Sequence, residues 1–412
     1  MEIFAALEII DTELRLVVGE FHNGKLNVLK VEQLDLPHGI KEEAEVIDAI
    51  RVARSSIKDK LGVEIESVLL AVPSFGMEKK TKKITAISSS VRLRPDPIQI
   101  RDAYKKILAT PLEDKLVLIN ACVSRFVADG VLMRRFPVND ALNELALEAD
   151  LYCTRSEKIF DYLKAVEKSG LIITDICFDL FAAAKEASLL DQSVNNYILL
   201  IKSERKSTSF GLVYNGKIVN SILTSFGYQA MIDTIVEKYG LPEKTAARLL
   251  LFNMDFSKEV FEDAPIYMWL ADGETRILKE NELAELLKPQ MEKLVLDLKD
   301  TCEPLLSLQG VNIVLCGEGG ELCGLDKKVE TAFGFPTRAY IPDTLGTRKS
   351  AFATCLGMLY TYKDQELYRS SLASAVDIYE YEHLIRSRRK RATSVDDSLT
   401  NRFKSMFERR AK

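Results

Sequence analysis

IFAALEIIDTELRLVVGEF (residues 3–21) opens the chain with two apolar runs, 3–10 and 14–21, that meet at Asp11-Thr12. Asn23-Gly24 then turns a second hairpin into LNVLKVEQLDL (26–36). An Asn-Gly pair accepts the left-handed backbone of a tight hairpin, so three successive antiparallel strands are predicted. An amphipathic helix near 42–61 and a buried strand SVLLAVP (67–73) follow. Hairpins that lead into helix and strand predict a mixed-sheet α/β domain. At residue 196 the theme returns as YILLIKSE, then STSFGLVYNGKIV folded about Asn215-Gly216, then SILTSF. Two copies of one strand pattern predict an internally duplicated architecture.

Between the copies the pattern changes. KKTKKITAISSS reads as a half-exposed strand, PIQIRDAYKKIL as a helix, 115–136 and LNELALEADLYC as long strands, and RSEKIFDYLKAVEKSGL as a helix. Together they predict an inserted α+β unit, with IITDICFDL a buried strand and FAAAKEASLL a helix after it. Beyond the second copy, helices are predicted near 227–239 and 242–252, then an irregular acidic stretch. A long helical region, 280–306, is expected to be interrupted by Pro289. NIVLCGEGG (312–320) reads as a strand ending in a glycine turn, ELCGLDKKVETAFG as the helix that turn opens, and TRKSAFATCLGMLYTY as a buried helix.

The 412 residues suffice for two or more domains, and 47% hydrophobic with 28% charged residues is ordinary for a globular protein. The net charge of -5 is unevenly spread: from Leu384 onward ten Lys and Arg face three acids, so the tail carries +7 and the rest -12. An acidic body excludes general nucleic-acid binding. Seven cysteines, odd in number and without a CxxC, read as buried thiols of a reducing compartment, and three scattered histidines exclude a His-based metal or nucleophile site. With no run of 18 apolar residues and no signal peptide, the expectation is a cytoplasmic protein with at most a peripheral membrane foot. That foot is the segment 396–412, DDSLTNRFKSMFERRAK. Wound as a helix, it brings Leu399, Phe403, Met406 and Phe407 onto one arc, with Arg402, Lys404, Arg409 and Lys412 flanking or opposing it and Arg410 snorkelling from the apolar side, the pattern of an interfacial helix on anionic lipid. The charged stretch before it, with RSRRKR at its centre, reads as a linker.

LEIIDTELRLVVGEF (7–21), LYCTRSEKIFDYLKAVEKSGLIITDICFDLFAAA (151–184), NIVLCGEGGELCGL (312–325) and the basic tail, in this order and spacing, resemble FtsA, the actin-like cell-division protein of bacteria. The first resembles that family's first phosphate hairpin, the second the end of its inserted subdomain, the third its adenosine motif and the last its membrane-targeting tail. The resemblance implies an α/β actin-like fold (the actin, heat-shock chaperone and sugar-kinase fold), two lobes around a nucleotide cleft, with ATP and magnesium as the implied cofactor. It implies an adaptor that polymerises with itself, works with other division proteins, and ties the C-terminal tail of FtsZ to the cytoplasmic face of the membrane at the division site. It divides the chain into a first lobe, 1A (1–77, 166–194 and 345–363), an inserted subdomain, 1C (78–165), a second-lobe core, 2A (195–227 and 306–344), a small subdomain, 2B (228–305), a linker (364–395) and the tail helix (396–412).

Carried onto this chain, the nucleotide positions are Glu8, Asp11 and Thr12 in the first hairpin, Arg205, Lys206, Ser207 and Thr208 in the second, and Gly317, Gly319 and Gly320 at the adenosine end. The chain departs from the family here. Ile10 stands for a glycine, and Ser203 to Thr208 replaces an Asp- and Gly-rich hairpin, so phosphate loses the backbone approach that glycine allows. Arg205 and Lys206 could instead bind phosphate as side-chain cations, or Ser203–Thr208 is a solvated turn in a lobe that needs no nucleotide. ATP hydrolysis is expected to be weak or absent, with no catalytic residue and no metal site. For the FtsZ contact, Arg276, Lys279 and Lys288 are candidate cations. The alternatives left open are a divergent actin-like paralogue scaffolding another membrane-associated assembly, a pilus or secretion component, and an ATP-dependent enzyme of the same fold.

Overall fold

A computed structural model describes residues 3–365 apart from 23, 135, 138, 139, 306 and 309. The chain forms two units: one runs to Glu186 and resumes at Thr354, the other spans Ala187–Ala353.

Unit 1 begins with β1 (Ile3–Ile9), β2 (Glu13–His22) and β3 (Lys25–Asp35), paired antiparallel in succession. Helix α1 (Glu43–Leu61) buries Val46, Ile50, Ala53 and Ile57, a spacing that keeps one face inward, and ends where Gly62 turns left-handed at φ 67°. Strand β4 (Ser67–Val72) then runs parallel to β1.

The insert follows as β5 (Glu78–Leu93), α2 (Pro97–Leu108), β6 (Leu116–Ala128), β7 (Val131–Met133) and β8 (Leu142–Arg155), an antiparallel sheet in the order β5-β8-β6-β7. Asp96 caps α2 by accepting from the Ile98 N–H, and Pro97 occupies the first turn, where no donor is lost. Ile100, Ala103, Tyr104 and Ile107 of α2 pack with Leu145, Leu147, Ala149 and Leu151 in one core. The strand expected to run through 115–136 breaks at Asp129-Gly130, both at positive φ. Among the contacts that fasten the insert to its unit, the Phe178 N–H donates to Asn120 Oδ1 at 2.9 Å, and the Tyr152 and Phe181 rings lie 5.3 Å apart.

Helix α3 (Phe160–Lys168) packs on α1, where Lys164 and Lys168 both reach Glu43. The boundary drawn at 165 therefore falls inside α3. Strand β9 (Ile172–Phe178) joins β4 in parallel and α4 (Asp179–Glu186) follows. The single helix expected over FAAAKEASLL is broken at Ser188, whose φ is 55°. The sheet of unit 1 runs β3-β2-β1-β4-β9.

Unit 2 repeats that sheet. After the short α5 (Leu189–Gln192) come β10 (Tyr197–Ser203), β11 (Thr208–Tyr214), β12 (Lys217–Thr224), α6 (Gln229–Tyr239) and α7 (Glu243–Asn253). Next are β13 (Pro265–Ala271), β14 (Glu274–Lys279), α8 (Glu280–Cys302), β15 (Val311–Cys316), α9 (Leu325–Phe333) and β16 (Thr337–Ala339). The order is β12-β11-β10-β15-β16, with three antiparallel strands followed by two parallel ones, as in unit 1. Asn215 and Gly216, both at positive φ, make the turn that the sequence signals.

Three expectations fail in unit 2. The stretch after α7, read as irregular, contains the hairpin β13–β14, closed by Asp272-Gly273 in left-handed backbone. The interruption expected at Pro289 does not occur and the helix runs through it: Pro289 faces solvent, where water can take the carbonyl its ring leaves unpaired. The glycine turn opens a short 3-10 segment, Glu318–Glu321, and α9 starts only after Gly324.

The last described helix, α10 (Ala353–Asp364), returns the chain to unit 1. A Cβ placed on Gly357 would lie 1.8 Å from the Ala182 carbonyl oxygen, so glycine sets how closely α10 approaches α4.

Candidate functional site

In unit 1 the turn between β1 and β2 is closed by the Ile10 N–H donating to the Glu13 carbonyl at 2.9 Å. Glu8, Thr12, Glu13 and Arg15 are all buried. Arg15 Nε donates to Glu13 Oε1 at 2.5 Å, its Nη1 lies 3.6 Å from Glu8 Oε2, and Gln33 donates to the other Glu13 oxygen at 2.6 Å. Glu8 thus belongs to an internal acid–base–acid group. Asp11 is half-buried at the tip, and the buried Thr12 hydroxyl has no hydrogen-bond partner among the described residues.

In unit 2 the turn between β10 and β11 closes with the Glu204 N–H donating to the Ser207 carbonyl at 2.9 Å. Of Ser203 to Thr208 only Lys206 is exposed; Ser203, Glu204 and Thr208 are buried, so the solvated turn left open by the sequence is not what forms. Arg205 points at the glycine turn, with Nε donating to Glu318 Oε2 at 3.0 Å and Nη2 to Oε1 at 3.4 Å. The Tyr228 hydroxyl donates to the same Glu318 carboxylate. Glu204 Oε2 accepts from the Glu318 backbone N–H at 3.3 Å, and Lys202 Nζ lies 3.9 Å from Glu204 Oε1. Burial works against the charged guanidinium, but the Glu318 carboxylate outweighs it and raises Arg205. Burial first, and then the Glu318 charge, push the Tyr228 phenol well up.

The glycines admit the protein's own backbone. A Cβ on Gly317 would stand 2.5 Å from the Ser203 carbonyl oxygen, and one on Gly319 2.5 Å from Ser203 Oγ. A Cβ on Gly227 would stand 2.1 Å from the Glu204 carbonyl oxygen. Arg205, Ser203, Gly317 and Gly319 therefore come together, while Lys206 is exposed. The Ser203 and Ser350 hydroxyls have no partner among the described residues, and a Cβ on Gly319 or Gly320 would stand 2.5 or 3.0 Å from them. The nucleotide that the fold implies does not fit this arrangement: Arg205, Tyr228 and the Glu318 N–H already serve carboxylates, and a polyphosphate would meet two buried anions.

The remaining candidates lie elsewhere. Arg276 donates to Asp272 at 2.9 Å and Lys279 Nζ is 2.8 Å from Asp263, both on the hairpin β13–β14 that sequence reading missed; Lys288 is exposed on α8. The same hairpin turns Tyr267 and Trp269 toward the core and leaves Met268, Leu270 and Ile277 exposed. Leu399, Arg402, Phe403, Lys404, Met406, Phe407, Arg409 and Arg410, and the linker after Gln365, lie outside the described residues. No helix among the described residues is long and apolar enough to cross a membrane. Glu13, Arg15, Glu204 and Tyr228 were not singled out in the sequence. The one available signal was Arg15 facing Glu8 across the first hairpin.

No protein-family model matches the sequence. The cell division protein FtsA of Streptococcus pneumoniae serotype 2 (strain D39 / NCTC 7466) is 23% identical over 371 residues, covering 86% of this chain and 79% of that protein. The cell division protein FtsA of Bacillus subtilis (strain 168) is 21% identical over 379 residues, covering 87% and 83%. Among solved structures, a chain of a PilM-PilN type IV pilus biogenesis complex matches with a TM-score of 0.54 at 14% identity, covering 87% of this chain and 98% of that one; this likeness is one of fold. With two units that repeat one five-stranded sheet and an insert after the fourth strand, the chain is a divergent FtsA-like protein of the α/β actin-like fold.

Proposed function

We propose that this chain is an actin-like cell-division scaffold. It self-assembles and tethers FtsZ to the inner face of the cell membrane through residues 396–412, with weak or absent ATPase activity. The observation that carries this is the similarity to FtsA along more than four fifths of the chain. In this reading 1–77, 166–194 and 345–363 make the first lobe, 78–165 the inserted subdomain, and 195–227 with 306–344 the second-lobe core. Residues 228–305 meet the FtsZ tail, with Arg276, Lys279 and Lys288 as the cations for it, and 364–395 link the body to its foot.

The foot suits a reversible tether. Leu399, Phe403, Met406 and Phe407 would each contribute about 1.5–3 kcal/mol if fully buried. Interfacial burial is partial, and ordering the helix opposes it. One tail therefore binds weakly, and a polymer of tails binds firmly. Full-length Phe403→Glu and Phe407→Glu are expected to stay folded by circular dichroism while losing co-sedimentation with anionic liposomes. Wild-type sedimentation by either variant would sink the tether. A second reading, a paralogue scaffolding another membrane-associated assembly, draws on the altered turns at Arg205 and Glu318. A fluorescent fusion that forms a band at the division site favours the division role, and membrane foci elsewhere favour the paralogue.

A further inference from the structure

Four charged side chains meet where β10 and β15 end. Glu204 and Glu318 supply two negative charges and Lys202 and Arg205 two positive ones, all on buried or half-buried residues. A guanidinium, a phenolic O–H and a backbone N–H converging on one place are the donor set that takes a phosphate group. Here all three are served from within the unit: Glu318 takes Arg205 and Tyr228, and Glu204 takes the Glu318 N–H. The two turns also touch closely: a Cβ on Gly317 would meet the Ser203 carbonyl and one on Gly319 the Ser203 side chain, while Gly227 lets its own segment approach the Glu204 carbonyl.

We propose that Glu318, backed by Glu204, is a resident anion: it occupies the donors that a phosphate would otherwise hold and locks the turn 203–208 against the turn 317–320 without a ligand. This rests on the actin-like reading of unit 2 for what the carboxylate displaces, and not on the division role. A tethered carboxylate competes at an effective concentration that free phosphate does not match. Lys202 and Arg205 are already matched by Glu204 and Glu318, and Glu243 lies a further 3.9 Å from Arg205 Nη1, so a phosphate entering the site must expel a carboxylate rather than add to it. Removing Glu318 alone should leave the half-buried Arg205 with only the exposed Glu243, 3.9 Å from its Nη1, which is more damaging than removing both partners.

The test uses full-length protein and thermal unfolding with inorganic phosphate, acetate or Mg–ATP against chloride at equal ionic strength. The wild-type midpoint is expected to stay unmoved by all three. Glu318→Ala should unfold several degrees lower and recover part of the loss in phosphate or acetate. The double variant Glu318→Ala, Arg205→Met should be more stable than Glu318→Ala and lose the anion response. Should Glu318→Ala fail to fold, Glu318→Gln, which keeps the Tyr228 contact and drops the charge, should show the same anion response to a smaller degree. A wild-type midpoint that rises with phosphate or Mg–ATP overturns the proposal, as does a folded Glu318 variant with an unchanged midpoint and no anion response. Because the readout is unfolding, these outcomes leave the localisation test of the division role untouched.

Discussion

Glu318 interrupts a glycine run, and in the sequence it looks like damage to a ligand loop. In the structure it is the centre of that loop's packing, because Arg205 and Tyr228 arrive from positions 113 and 90 residues away. No local pattern announces such partners. Arg15 was more legible: it faces Glu8 across the hairpin and Gln33 across the next strand pair, so the register alone places polar groups side by side. The cysteines were legible as a class. Cys153, Cys177, Cys302, Cys316 and Cys355 are buried, but Cys323 is exposed. Burial is the main cause that pushes the Cys153 thiol up from 9.0 to about 11, with Lys80 opposing it. A thiol raised in the folded state leaves stability intact below the unfolded value and removes it as pH climbs toward the folded one. Urea midpoints of the wild type should therefore fall between pH 9 and about 11. The fall should be shallower in Cys153→Ala; an identical slope in the two proteins would contradict this.

At the scale of elements, periodicity and turn chemistry located most strands and helices, and failed where a tertiary partner overrides local preference. Pro289 was expected to interrupt α8, yet the ring sits on the exposed face while Leu283, Leu287, Met291 and Leu294 hold the buried face across it. The hairpin β13–β14 was missed because the charged residues around it masked two short strands, although Asp272-Gly273 was a turn signal in plain view. Helix α10 was legible as buried, but its approach to α4 was not. Gly357→Ala should cost about 3 kcal/mol or more, since the Cβ would meet the Ala182 carbonyl, which belongs to another helix and cannot yield. Gly62→Ala, at a left-handed helix end with open space around it, should cost only about 1 kcal/mol. Equal losses in urea unfolding would show that α10 relaxes away.

For the whole molecule, the proposed tether makes attachment a property of the assembly. Co-sedimentation of wild-type protein with anionic vesicles should rise more steeply than in proportion to protein concentration, and should weaken as salt screens the +7 tail. Simple proportionality across the range would count against avidity. The sequence by itself determined the duplicated sheet and the place of the insert. Alternating apolar runs, Asn-Gly turns and a change of pattern near Met77 are local signals, and strand pairing between chain neighbours follows from them. Only the tertiary structure decided what the two altered hairpins do with their charges. Burial makes an unpaired carboxylate or guanidinium costly, so Glu8 with Arg15, and Glu318 with Arg205, take whatever partner the packing brings within reach.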